Sequence, residues 1–316
     1  MKRPLSDVLF DEASRLLTKG RRSLRALGVE VEALGETLGL DFELEGPEEV
    51  ESLEVVLVRE TSENRKLAPV VMDDVGMARK RPRAVGPFCS STFVPVANTC
   101  PPCPFKGNGC MAESGYTGRP NRRIEANARG LTSVEVTRRE AEALDRRLFP
   151  AGVPRDGGRD GKSPRDLRLH VSGDVTTRVG LDLLVAAVWR WKARGGGACW
   201  TFTHAWRDLP GERWGSISIL ASLEDPKDSE LARARGYTPA ITVRSFPAPR
   251  SFRLAGSSTT WIPCPAELGK TTCVECRLCL DRTEWMRETD RGIAFAVHGQ
   301  SAERARRRLP VVRAAR

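Results

Sequence analysis

The chain has 316 residues, of which 51 are Lys or Arg and 41 are Asp or Glu, giving a formal net charge of +10. Its composition, 40% hydrophobic and 29% charged, is that of a folded globular protein and excludes a wholly disordered chain. No apolar run approaches the roughly 20 residues of a membrane-spanning helix, and the N-terminus lacks the apolar segment of a secretory signal. We therefore expect a cytoplasmic protein with no membrane partner and no disulfide framework.

Residues 1–76 are predicted to form a small N-terminal α+β region. The first 75 residues hold 10 basic and 17 acidic side chains, so the rest of the chain carries a net charge of +17. Apolar residues at helical spacing predict helices near residues 8–17 and 34–40, followed by a short strand. Residues 77–88 contain four basic residues and two prolines and are predicted to be a linker.

Residues 89–250 are predicted to be the core of the protein, in which strands and helices alternate. Strand-like runs occur at 93–96, 167–171, 198–203, 216–220 and 240–243, with a last one at 293–297. Helical patterns occur at 121–128, 136–148, 178–191 and 228–235. Strand–helix alternation with short connections is typical of parallel βα units.

The side-chain alternation in these runs predicts one apolar and one polar face. Leu167 and Leu169 oppose Arg168 and His170, and the later strands repeat the pattern. A doubly wound sheet would be apolar on both faces, whereas a βα barrel or partial barrel can have a polar lumen. An antiparallel sheet with one solvated face fits each strand equally well. The helix at 178–191 favours the barrel.

Seven of the nine cysteines fall into two boxes. The first has the spacing C-x2-C-x6-C and comprises Cys100, Cys103 and Cys110. The second has the spacing C-x8-C-x2-C-x2-C, lies in residues 251–300, and comprises Cys264, Cys273, Cys276 and Cys279. Cysteines this dense in a cytoplasmic protein indicate a metal, so we predict a C-terminal cysteine-rich metal module in addition to a site in the core.

The identity of the metal is left between two alternatives. Zinc favours paired C-x2-C hooks that place four sulfurs tetrahedrally. Three cysteines in a row at x2 spacing are closer to the runs that bind iron–sulfur clusters, so we favour a [4Fe–4S] cluster in one or both boxes. A cluster held by the three thiolates of the first box would keep one iron open to a further ligand.

The order of strand, cysteine loop, helix and a strand ending in Ser172-Gly173-Asp174 resembles that of radical S-adenosylmethionine enzymes. The resemblance covers about residues 90–246 and implies a [4Fe–4S] cluster on the first box with S-adenosylmethionine on its open iron. Ser172, Gly173 and Asp174 would then bind that cofactor, with Asp174 as the carboxylate partner of its amino group. The usual loop of these enzymes is C-x3-C-x2-C, from which this chain departs.

A second resemblance, over about residues 88–300, is to proteins encoded by actinobacterial phages and mobile elements. The matching segments are Cys-Met-Ala-Glu at 110–113, where that family has Cys-Tyr-Ala-Glu, His-Val-Ser-Gly-Asp at 170–174 and Thr-His-Ala-Trp-Arg at 203–207. A late four-cysteine box is also shared. This resemblance implies an architecture rather than a reaction.

Four polar residues are predicted to be catalytic because they lie at or just after strand ends, where βα folds assemble their sites. They are His170, Asp174, His204 and Arg207. The histidines could serve as general base, hydrogen-bond donor or spare cluster ligand. The chain has neither the G-x-S-x-G elbow of a serine hydrolase nor a Walker-type phosphate loop.

Together these features predict an iron–sulfur enzyme of the radical S-adenosylmethionine type with an electron donor as partner and an unidentified substrate. The basic cluster at 79–83 and the basic tail at 301–316 suggest a nucleotide or nucleic acid. The alternative is a zinc-stabilised nucleic-acid-binding protein without catalysis. A third hypothesis is a redox sensor or scaffold that keeps one cluster.

Overall fold

The computed structural model describes residues 54–59, 70–72, 83–85, 89–147, 165–269 and 271–310. The helices predicted near residues 8–17 and 34–40 and the last six residues of the basic tail lie outside this part. The chain divides after Ser52 into two units, and all described residues belong to the second.

The described strands are β1 Leu57–Arg59, β2 Val70–Met72, β3 Arg83–Val85, β4 Cys89–Phe93, β5 Asp166–Arg168, β6 Cys199–Thr203, β7 Ser218–Leu223, β8 Thr238–Val243, β9 Phe252–Arg253, β10 Thr260–Pro263 and β11 Arg291–Ala296. The helices are α1 Val96–Thr99, α2 Gly115–Asn127, α3 Ser133–Arg147, α4 Arg178–Ala193, α5 Ser229–Ala234, α6 Cys273–Cys276, α7 Leu278–Asp281, α8 Thr283–Glu288 and α9 Ala302–Arg308.

Nine of these strands form one mixed sheet in the order β1-β4-β5-β6-β7-β8-β11-β10-β9. The seven strands from β4 to β10 in that order are parallel, and β1 and β9 are antiparallel edge strands. The sheet is open, because its two edge strands do not pair with each other. The predicted α/β class is therefore confirmed, and residues 57–59 join the main sheet. β2 and β3 form a separate two-stranded sheet within the described residues.

The long helix α4 illustrates how the sequence forms these elements. The hydroxyl of Thr177 caps its start by accepting a hydrogen bond from the Gly180 N–H at 3.0 Å. Leu181, Leu184 and Trp191 lie on the buried side, at helical spacing, and pack against α3 and the sheet. Each such burial contributes about 1.5–3 kcal/mol, so the amphipathic pattern decides which way the helix faces.

The first core strand is displaced from its prediction. The sequence pattern predicts a strand at 93–96, but β4 ends at Phe93 and a helical turn begins at Val96. Pro95, with φ −66°, stands before this turn, and a proline lacks the N–H that a continuing strand would need. The cysteine loop therefore starts from a helix rather than directly from a strand.

The two faces of the sheet differ from the predicted apolar and polar pair. One face packs against α3, α4 and α5 through a large core that includes Leu167, Cys199, Ile219 and Ile241. The opposite face, called the inner face below, also carries buried apolar side chains, and the segment 264–286 packs on them. The expectation of a polar lumen is wrong for this part of the inner face, because Trp200, Phe202, Leu220, Ala240 and Ile293 line it.

Candidate functional site

The first cysteine group, Cys100, Cys103 and Cys110, lies on a tightly folded loop between α1 and α2. Cys100 ends α1, and its carbonyl accepts a hydrogen bond from the Lys106 ammonium at 3.2 Å. The carbonyl of Phe105 accepts from the N–H groups of Asn108 and Cys110. These contacts curl the loop, so the three cysteines are close although the first and the last are ten positions apart in the chain.

The three thiols lie close to carboxylates at the carboxyl ends of the parallel strands. Burial raises the pKa of Cys100 well above its usual range, and the Asp174 carboxylate and the Cys110 thiol add to this rise. Burial likewise raises the pKa of Cys103, with Glu224 contributing. Neutral thiols are thus favoured here, unless a cation or metal compensates the thiolate charge.

Asp174 ties the loop after β5 to β6 and to α1. Its Oδ2 accepts hydrogen bonds from the Thr203 hydroxyl at 3.1 Å and the His204 N–H at 2.8 Å. Its Oδ1 accepts from the Val175 N–H, and its own N–H donates to the Thr99 hydroxyl. Both carboxylate oxygens of this buried residue are therefore engaged, so its structural contacts would compete with a ligand amino group.

Ser172 and Gly173 hold β5 against the residue that follows β4. The Ser172 hydroxyl donates to the Val94 carbonyl at 3.1 Å. Gly173 has φ +79°, and a Cβ there would lie 2.3 Å from Val94 Cγ2 and 2.7 Å from Thr99 Oγ1. Only glycine fits this close approach of the two loops. The Ser-Gly-Asp run thus places the first cysteine group beside the ends of β5 and β6.

His204 forms a pair with Glu224, a residue that the sequence analysis did not select. The imidazole Nε2 lies 2.9 Å from Glu224 Oε1, and the two side chains are 30% and 23% exposed. Burial alone would lower the pKa of His204, but the Glu224 carboxylate outweighs it and raises that pKa. Glu224 directly follows β7, the same signal that selected Asp174 after β5. This pair can exchange a proton with a ligand at the strand ends.

Arg207 is exposed and lies outside this constellation. Its guanidinium stacks on the Trp206 ring at 4.0 Å and forms an ion pair with Asp228 at 2.7 Å. Both contacts are local to the loops after β6 and β7. A role for Arg207 in catalysis remains a prediction.

His170 faces the helical layer rather than the inner face. Its φ of +53° departs from strand geometry, so the alternation that put it beside Arg168 does not apply. Its Nε2 lies 3.1 Å from Glu140 Oε2 on α3, and both side chains are fully buried. Burial would lower the pKa of His170, but Glu140 outweighs this effect and raises it. The geometry is that of a structural ion pair linking β5 to α3.

The second cysteine group, Cys264, Cys273, Cys276 and Cys279, lies against the inner face. Burial raises the pKa of Cys279 well above its usual range, with the other three thiols contributing in turn. All four sulfurs are therefore neighbours, as the sequence predicts for one metal module. Cys89 on β4 adjoins this group; its pKa rises to about 12, chiefly because of burial, with a smaller contribution from Cys273.

A sharp chain reversal brings the second cysteine group together. Thr272 and Glu275 form a capping box at the start of α6. Arg277, with φ +54°, separates α6 from α7 and holds the turn by ion pairs with Asp166 and Asp281. The Asp166 pair, at 2.7 Å, fastens the module to the first residue of β5.

Whether either cysteine group fits a metal ion depends on the arrangement and the chemistry of its side chains. No three or more His, Cys, Asp and Glu side chains of the described residues are arranged so that they could hold a metal ion. Binding would therefore require the sulfur atoms to close on the ion. The donor sets fit by chemistry, since each is a cluster of neighbouring thiols not joined as disulfides. On the inner face, the buried Nε of Arg168 has no hydrogen-bond partner among the described residues, and the charge of this arginine acts to lower the pKa of Cys279.

A surface cavity of about 480 Å³ lies at the other end of the sheet. It opens at the amino ends of β5, β6 and β7 and is lined by Asp166, Lys192, Ser216 and Arg277, among others. None of the predicted site residues lines it. No helix in the described ranges is long and apolar enough to cross a membrane.

Comparison of the chain with models of known protein families, with curated proteins and with solved structures found no match.

Proposed function

We propose that the protein is an iron–sulfur enzyme of the radical S-adenosylmethionine type, acting at the carboxyl ends of its parallel strands. The observation that carries this proposal is the juxtaposition of three thiols with Asp174, His204 and Glu224 at one edge of the sheet. This is the edge at which open parallel sheets bind ligands.

The order of the strands supports the finer fold proposal of a partial βα barrel. The five parallel strands β4 to β8 lie side by side in chain order, and β11 follows β8 in the sheet. The first is followed by the cysteine loop and the second by Ser172-Gly173-Asp174, as in the enzymes that the sequence resembles. In this proposal β10 and β9 extend the partial barrel, and the C-terminal cysteine module packs on its inner face.

The proposed roles of the residues follow from their contacts. Cys100, Cys103 and Cys110 would hold the first cluster, and the second cysteine group a second one. A cluster with S-adenosylmethionine supplies one-electron reductive cleavage of that cofactor and hydrogen abstraction from a substrate. Asp174 keeps the loops after β5 and β6 in register, and His204 with Glu224 can hold or move a proton beside the thiols.

Two features support metal binding by the second group. Four neighbouring thiols meet the ligand number of a [4Fe–4S] cluster or of a structural zinc. The orphaned Nε of Arg168 provides a donor near Cys279, and hydrogen bonds to ligating sulfur are a common outer-shell contact. The short spacing within α6 and α7 also fits zinc, so a zinc-stabilised protein without catalysis is the alternative.

The test is the iron, zinc and sulfide content of the anaerobically purified full chain, followed by an assay of S-adenosylmethionine cleavage with a chemical reductant. We expect iron with matching sulfide and reductant-dependent cleavage. Zinc without sulfide would overturn the iron–sulfur assignment. The matched variants are Cys103→Ala and Cys276→Ala. We expect Cys103→Ala to abolish cleavage and to keep the second metal centre. If Cys103→Ala kept both metal centres, the role given to the first box would be contradicted.

A further inference from the structure

The described part of the predicted basic tail, residues 301–310, contains α9, which packs on the loop that carries the first cysteine group. Ala302 and Ala305 on one side of α9, together with Leu309 directly after it, form a buried cluster with Phe105 of the cysteine loop. The contact is close, because a Cβ on Gly109 would lie 2.7 Å from the Ala305 backbone nitrogen. The Ser114 and Ser301 hydroxyls add a hydrogen bond at 2.8 Å. The start of α9 is thereby fixed against the loop.

This packing turns the arginines of α9 outward. Arg304, Arg307 and Arg308 are exposed, at positions that alternate with the buried alanines. Arg308 reaches Asn108 of the cysteine loop at 3.3 Å. The helix contributes one carboxylate, Glu303, which contacts Arg306 and Arg307 at its own surface. The positive charge of α9 therefore lies beside the first cysteine group.

The helix on the other flank of the loop adds charge and exposed apolar surface. Arg119 and Arg122 of α2 are exposed. Met111 and Tyr116, at the junction of the loop and α2, are 56% and 53% exposed and are among the most exposed large apolar side chains described. The Arg59 guanidinium lies 5.2 Å from the centre of the Tyr116 ring and donates a hydrogen bond to its hydroxyl, so a cation already adjoins this exposed ring. Aromatic surface between cations is the combination that binds single-stranded nucleic acid, since cations contact phosphates and rings stack on bases.

We propose that the surface formed by Met111, Tyr116, α2 and the outward arginines of α9 binds a single-stranded nucleic acid and presents it to the first cysteine group. In naming the substrate class this inference rests on the proposed function, yet binding itself requires neither metal nor cofactor. A flexible single strand fits because its bases are free to stack, whereas those of a duplex are paired and buried. The net charge of +17 beyond residue 75 attracts such a strand from a distance.

The experiment measures fluorescence anisotropy of labelled single-stranded DNA, single-stranded RNA and duplex DNA with the full chain over a series of salt concentrations. We expect tighter binding to a single strand than to the duplex, and the DNA and RNA arms identify the sugar. The double variant Arg304→Ala with Arg307→Ala should weaken binding at least about tenfold and reduce the slope of log affinity against log salt by about 1–2.

Matched variants separate charge, stacking and position. Replacing the same two arginines by Lys should restore most of the binding, and Tyr116→Ala should cost about tenfold with little change of salt slope. The control removes two exposed arginines of α3, Arg138→Ala with Arg139→Ala, and should leave affinity within about twofold. An equal loss in this control, or preference for the duplex with Tyr116→Ala unchanged, would overturn the proposal. If zinc is found without sulfide and this surface still binds, only the enzyme proposal fails.

Discussion

The two cysteine groups use the same ligand chemistry in opposite surroundings. The first lies at the edge of the sheet among Asp174, Glu224 and Lys106, on a half-exposed loop. The second is pressed on the inner face among Trp200, Phe202 and other apolar side chains. Charged and partly solvated surroundings suit a ligand that must enter and leave, whereas an apolar setting suits a centre that joins parts of the fold. The difference predicts unequal effects of equal mutations.

Removing a cysteine from the second group should have the largest effect on stability. Cys279→Ala would remove a ligand from the proposed metal centre, which would hold residues 264–286 to the sheet. We expect a loss of more than about 4 kcal/mol in the free energy of unfolding, as for loss of a structural metal, against about 1 kcal/mol or less for Cys103→Ala. Anaerobic denaturant titrations of both variants measure this. Equal losses would break the comparison between the groups.

The buried pair of His170 and Glu140 is expected to make the next largest contribution to the free energy of unfolding. Glu140→Gln leaves a buried imidazolium without its counter-charge, and we expect a loss of about 3 kcal/mol at a pH where the histidine is protonated. A denaturant titration measures it. A loss below about 1 kcal/mol would show that the histidine is neutral in the folded protein.

The same pair predicts how stability depends on pH. The pKa of His170 is raised above its ordinary 6.5 in the folded protein, so its contribution is complete below pH 6.5 and is lost as the pH rises through the raised value. Comparison of wild type and Glu140→Gln from about pH 5 to about pH 9 isolates this contribution. The difference between the two should shrink as the pH rises; a difference that grows would contradict the protonated pair.

At the edge of the sheet, Gly173→Ala tests how closely the loops must approach. The left-handed φ and the 2.3 Å clash with Val94 predict a loss of about 2 kcal/mol and a displaced first cysteine group. The matched control is Gly130→Ala, which also has positive φ but no atom within 4 Å of the new Cβ. Equal losses in the two would show that backbone strain alone, without the clash, explains the effect.

Glu224→Gln should alter the charge of His204. Its effect on the free energy of unfolding should be less than about 1 kcal/mol, because the pair is partly exposed. Without the carboxylate, burial should bring the pKa of His204 below its present value. A histidine NMR titration measures this directly, because the chain has three histidines. An unchanged titration would exclude the pair as a proton-transfer unit.

The smallest effect is expected at an exposed ion pair on the helical layer. The Nη2 atom of Arg213 lies 2.7 Å from Oδ2 of Asp182, and both side chains are well exposed. Arg213→Ala should change the free energy of unfolding by no more than about 0.5 kcal/mol, because water screens such pairs. Thermal denaturation measures this small change, with which the larger losses expected for the variants at the sheet edge and in the interior are compared.

The sequence by itself determined the α/β class, the start of α4 at residue 178 and the grouping of the cysteines. Each depends on local information, either the spacing of apolar residues or the short distance between thiols along the chain. The strand-end rule also selected Asp174 and His204, and the same rule could have found Glu224.

Only the tertiary structure decided which of these residues meet. His170 turned to the helical layer because a left-handed backbone angle and a distant glutamate override strand alternation. The apolar inner face was not predicted, because the segment that packs on it, residues 264–286, comes from far along the chain. The sequence marked residues 301–316 only as a basic tail, and the packing of Ala302 and Ala305 near Phe105 shows that part of this segment lies on the cysteine loop. Long-range packing determines which residues become partners, and the local spacing of residues along the chain does not reveal it.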